Sequence, residues 1–115
     1  MRVLIVDDHT RYSEVVAARL RRGGHTPMRR STLKGALDAI NRHELATVFI
    51  PPSIHGRSTC EIVERLHEHQ PDTKVFMLLG AEGEPEDPAK LGLSVNGVRQ
   101  RGEVSTGDAA ALLGS

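Results

Sequence analysis

Asp7 and Asp8 stand side by side at the end of the apolar run Val3-Leu4-Ile5-Val6, whereas the run Val48-Phe49-Ile50 closes on Pro51 and Pro52. Strand ends are where many α/β proteins place the side chains that do their chemistry, so the acidic pair has the position and charge to attract a cation. The proline pair offers neither a nucleophile nor a metal ligand, and Pro51 lacks the N–H that could help cradle an anion. Ser53 follows two residues later, but nothing beside it looks like an activating base, and it reads as a solvated loop hydroxyl. His55, Cys60, His67 and His69 have a superficial metal look. Cys60 opens a helix on which His67 and His69 lie two apart, so these three cannot share one face and a zinc site is not expected. Arg19, Arg21, Arg22, Arg29 and Arg30 form the one basic cluster, read as a solvated rim.

The elements that must position these groups alternate along the chain. Val3 to Val6 is a continuous apolar run, as expected of a parallel strand buried on both faces. Tyr12, Val15, Val16 and Leu20 recur at helical spacing, and Gly23-Gly24 supplies the stop signal. His25 to Arg30 is a weak strand; Pro27 can donate no ladder hydrogen bond, so the segment must lie at a sheet edge. A helix marked by Leu33, Ala36, Leu37 and Ile40 precedes a strand over Ala46 to Ile50, and Ile62, Val63 and Leu66 mark the next helix. Lys74 to Leu79 is the most apolar strand, Ser94 to Arg99 a candidate fifth, and Asp108 to Leu113 a short final helix. Between the fourth and fifth strands, Pro85, Pro88 and several acids allow at most a short helix. The alternation predicts an α/β fold: a parallel sheet with helices on both faces and right-handed crossovers.

The 115 residues suit one domain, and 26% charged residues with an ordinary apolar share argue against disorder over the whole length. Fifteen basic and fifteen acidic residues cancel, which removes the electrostatic footprint of a domain that binds nucleic acid by itself. Cys60 is the only cysteine, so an internal disulfide is excluded. No apolar run approaches the roughly 20 residues of a membrane span, and the simplest reading is a soluble cytoplasmic protein. The final helix is cut short at Ser115, which suggests a domain excised from a longer chain.

The stretches RVLIVDDH at Arg2 to His9 and GHTPMRRSTLKGAL at Gly24 to Leu37, with the order and spacing of the strands, resemble the receiver domain of bacterial response regulators. That resemblance implies a flavodoxin-like, doubly wound five-stranded parallel sheet in the order 2-1-3-4-5. It also implies a site at the carboxyl ends of the strands. In typical members an acidic pair holds Mg²⁺, an aspartate ending the third strand accepts a phosphoryl group, and a hydroxyl and a lysine after the fourth and fifth strands read it out.

Carried over by position, Asp7 and Asp8 match the acidic pair, Pro51 falls on the phosphoacceptor and Leu79 on the switch hydroxyl. Arg99, or Arg101 if the register slips by two, replaces the lysine, and Asn96 stands where an aromatic switch residue is common. An acyl phosphate needs a carboxylate nucleophile, so phosphorylation at Pro51 is excluded. Leu79 cannot bond a phosphate, whereas Arg99 keeps a charge that an anion could use. Asp7 and Asp8 alone make at best a weak Mg²⁺ site, and no cofactor is expected. They could instead simply receive Arg99 in a salt bridge.

The resulting expectation is a pseudo-receiver: a non-enzymatic, phosphorylation-independent module. It would regulate a transcription factor through protein contacts or by homodimerising through the region after the fourth strand, with DNA bound by a domain outside this chain. The alternatives are a small-molecule sensor using Asp7, Asp8 and Arg99 around the vacated pocket, or a stand-alone adaptor.

Overall fold

The computed structural model describes residues 1–79 and 95–100. The acidic stretch 81–92, Arg101 and the final helix expected at 108–113 lie outside the described residues.

Arg2–Val6 forms β1, and α1 follows over Thr10–Arg22. Arg19, Arg21 and Arg22 fill the last turn of α1, where cations complement the helix dipole, and the chain leaves through Gly23 and a left-handed Gly24 at φ 84°. β2 (Thr26–Arg30) and α2 (Leu33–Arg42) come next. The Thr32 hydroxyl caps α2 by accepting the Gly35 N–H at 3.0 Å. A side chain at Gly35 would crowd that cap, its first carbon lying 2.9 Å from the Thr32 oxygen.

After β3 (Thr47–Ile50), the segment following the two prolines makes a small antiparallel hairpin, β4 (Ser53–Ile54) against β5 (Arg57–Ser58). The two turn residues, His55 and Gly56, both have positive φ, 50° and 77°, which a two-residue hairpin turn of the mirror-image type requires. α3 (Cys60–His69), β6 (Lys74–Leu79) and β7 (Gly97–Gln100) complete the described elements.

The main sheet has five strands, all parallel, in the order β2-β1-β3-β6-β7. Numbered without the hairpin, this is the 2-1-3-4-5 order that the resemblance implies, and the parallel sheet that the alternation predicts. β2 takes the outer edge, as Pro27 demands, with Pro27 opposite Val3. The fifth strand starts later than the sequence suggests because Asn96 is spent at its base: its N–H donates to the Val75 carbonyl (2.7 Å) and its side-chain oxygen accepts the Val75 N–H (2.8 Å).

Alternate strand residues feed two cores. Leu4, Val6, Val48, Ile50, Val75 and Met77 pack with α2 and α3 on one face, and Val3, Ile5, Phe49, Phe76 and Leu78 pack with α1 on the other. Gln70 stitches the first layer together. Its amide nitrogen donates to the Ile40 and His43 carbonyls at the end of α2 (2.9 and 2.6 Å), and its oxygen accepts the Leu45 N–H (2.7 Å). Among the described residues, no helix is long and apolar enough to cross a membrane.

Candidate functional site

In a parallel sheet every strand ends at the same rim, and Asp7, Pro51 and Leu79 close three neighbouring strands there: β1, β3 and β6. Asp7 is almost wholly buried, with 2% exposure, and its Oδ1 accepts the His9 backbone N–H at 3.1 Å. Asp8 is more open. Its Oδ2 accepts the His55 N–H at 3.4 Å, so the turn of the hairpin reaches across the rim to the acidic pair. The His9 imidazole comes from the start of α1, with Nε2 3.7 Å from Asp8 Oδ1, and meets Tyr12 edge-on at 6.4 Å. Burial by itself would raise the Asp8 pKa. The His55 N–H, the charge of His9, the residue's own backbone N–H and the charge of His55 outweigh burial and hold the carboxyl below its ordinary 3.8.

Pro51 is buried, and its carbonyl accepts the Thr59 hydroxyl at 2.5 Å. The Thr59 N–H donates to the Pro52 carbonyl at 3.1 Å. Thr59 has no exposed surface, and these two bonds tie the strand end to the start of α3.

Of the remaining candidates, Arg99 keeps to this rim: it lies two residues past Gly97, as Asp7 and Pro51 lie two past Ile5 and Phe49 in the same row of the sheet. Arg99 stands one residue short of the end of β7, opposite Leu78, and its guanidinium lies 4.3 Å from the centre of the Phe76 ring, on the α1 face of the sheet. Asn96 is at the amino end of β7, away from the acidic pair. Ser53 is exposed and opens the hairpin opposite Ser58. The Cys60 thiol donates to Glu64 Oε1 at 3.6 Å, and desolvation followed by the Glu64 charge pushes its pKa up, which disfavours the thiolate a metal would need. Arg29 of the basic cluster meets Glu14 at 3.8 Å in an exposed pair, as a solvated rim would.

Two participants escaped the sequence reading. Thr59 gives no sequence signal beyond preceding a helix. His9 could have been found from its place directly after Asp7-Asp8, which brings a nitrogen donor to an acidic pair.

No protein-family model and no curated protein matches the sequence. Solved structures do match. A response regulator receiver domain protein (CheY-like) from Methanospirillum hungatei superposes with a TM-score of 0.75 at 19% identity, over 97% of this chain and 86% of that one. The fold is that of a receiver domain. A Burkholderia pseudomallei response regulator, solved with a phosphorylated aspartic acid, a calcium ion and citrate, gives a TM-score of 0.77 at 16% identity, over 97% of this chain and 64% of that one. TrrA, a response regulator of Thermotoga maritima, in complex with the histidine kinase ThkA, gives 0.69 at 18% identity, covering 86% and 84%.

The receiver fold implies Mg²⁺ at this rim, and the residues present do not fit it. Mg²⁺ demands near-octahedral oxygen coordination completed by carboxylates, water and phosphate oxygens. Here the third strand end supplies a proline whose carbonyl is already bonded to Thr59, and the group beside the two carboxylates is an imidazole.

Proposed function

We propose that this receiver-fold domain is a signalling module that works without aspartyl phosphorylation. It acts by protein contact or self-association within a cytoplasmic transcriptional regulator, and it has no enzymatic activity of its own. The observation that carries the reading is Pro51 at the end of β3, buried and bonded to Thr59 where a receiver would present its acceptor carboxylate. Of the matched structures, one response regulator is described with a phosphorylated aspartic acid and another in complex with a histidine kinase. The first property needs a carboxylate that this strand end lacks. The second needs only a surface, so contact with a kinase-like or regulatory protein is compatible with the altered site. The second reading is a small-molecule site among Asp7, Asp8 and Arg99, which the register of the strands supports by setting Asp7 and Arg99 in one row at the strand ends.

Intact-mass measurement after incubation with acetyl phosphate tests the proposal. The wild-type chain is expected to gain no acid-labile phosphoryl mass, and an adduct on it overturns the reading. Pro51→Asp is the informative companion. It returns a third carboxylate to the rim, and its stability is expected to become dependent on Mg²⁺, which would relieve the repulsion from Asp7 and Asp8.

A further inference from the structure

We propose that the outer face of α1 docks in the groove between α2 and α3 of a second copy of this chain, joining copies head to tail. This deepens the self-association named in the signalling proposal and rests on it. Arg11, Val15, Ala18 and Arg22 are exposed along one stripe of α1, since positions four, seven and eleven apart fall on one side of a helix. Val15 keeps 40% of its surface exposed, so an apolar centre is bracketed by arginines. On the other face of the sheet, Leu37 and Asn41 of α2 and Glu61, Glu64, Arg65 and Glu68 of α3 line an open groove. The two surfaces are opposite in charge.

Neighbouring helix charges are neutralised within the chain: Asp38 pairs with Arg42 at 2.9 Å, and Glu14 meets Arg29 at 3.8 Å. Arg11, Arg22, Glu61 and Glu68 make no ion pair among the described residues. Two of them also sit where their own helix disfavours them. Arg11 is in the first turn of α1 and Glu68 in the last turn of α3, each beside a dipole end of its own sign. Glu64 and Glu68, four apart, repel each other besides. An antiparallel seat sets Arg11 against Glu68 and Arg22 against Glu61, which neutralises both misplaced charges, and lays Val15 over Leu37. By helical rise Arg11 and Arg22 are about 17 Å apart and Glu61 and Glu68 about 11 Å, a mismatch of ~3 Å at each end that these long side chains absorb.

The two surfaces lie on opposite faces of the sheet, so two copies cannot make both contacts with each other. Each joined pair leaves one α1 face and one groove open, and association is open-ended instead of closing as a dimer.

Sedimentation velocity across a concentration series of the full chain tests the proposal. At low salt the wild-type chain is expected to form species larger than a dimer as its concentration rises. About 0.5 M NaCl, where the Debye length is only ~4 Å, should return it to monomer. Arg11→Gln with Arg22→Gln, and Glu61→Gln with Glu68→Gln, change exposed positions only, so both variants keep the core intact. Each is expected to weaken self-association by at least about tenfold. Mixed together, they should form a one-to-one complex that grows no further, since one variant keeps only its groove and the other only its α1 face. Glu44→Gln, at an exposed acid outside the groove, should change nothing. A wild-type chain that stays monomeric at low salt overturns the proposal, as does association that survives both double substitutions, or a mixture that stays monomeric or rebuilds long chains. Those results leave the phosphorylation-independent reading standing, which falls instead to an acid-labile phosphoryl adduct.

Discussion

The Arg99 guanidinium rests on the ring of Phe76, 4.3 Å from its centre, across a glycine that leaves room for both. Phe76 in turn stacks on Phe49 at 5.7 Å, so an aromatic pair and a cation span β3, β6 and β7 on the α1 face. A methyl at Gly97 would come within 3.2 Å of the Phe76 ring and 3.5 Å of the Arg99 Nη1. Arg99→Ala is therefore expected to cost about 0.5–1 kcal/mol of stability. Gly97→Val should cost more, by pushing ring and guanidinium apart. Urea unfolding midpoints of the two variants check the order.

Gln70 supplies partners to three backbone groups where α2 ends and β3 begins. Gln70→Ala leaves these part-buried groups unsatisfied, at a cost of about 1–3 kcal/mol. Hydrogen exchange should accelerate at the Leu45 amide specifically, while the β1 amides change only as far as global stability falls.

Thr59 is the bond between the proline-closed strand and α3. Thr59→Val preserves its shape and deletes the hydroxyl, leaving the Pro51 carbonyl without that donor; a loss of about 1–3 kcal/mol is expected. Thr59→Ser keeps the donor and should recover most of it, which thermal denaturation of the pair would show.

Asp8 makes stability sensitive to acid. Its carboxyl is held below 3.8 in the folded chain, so the folded state favours the charged form. The stability this contributes is fully present above the unfolded-state pKa, and it is lost as the pH falls through the lower folded value. Asp8→Asn is expected to flatten the decline of unfolding free energy below about pH 4, measured by denaturant titration across that range.

Much of the architecture could be read from residue types because each strand's burial is written in its own composition. Val3 to Val6 and Val75 to Leu79 are continuous apolar runs since both faces of these strands meet a core. Pro27 declared the edge. The hairpin after Pro52 was not legible, because β4 and β5 are two residues each, too short to establish alternation, and their turn uses His55 in a backbone conformation that non-glycine residues seldom adopt. The site divided in the same way. That Asp7, Asp8 and Pro51 share a rim follows from strand order, whereas the place of Arg99 depends on a side-chain direction and on the absence of a Cβ at Gly97, neither of which spacing along the chain encodes.

The edge strand has one further effect. Thr26 donates inward to Met1 and Arg30 accepts inward from Asp7, so the residues between them that face outward are Pro27 and Arg29. The open border of the sheet thus lacks one of its amide donors and presents a charged side chain beside the gap. A foreign strand seeking to extend the ladder at this edge would meet a missing rung, which disfavours edge-to-edge pairing there.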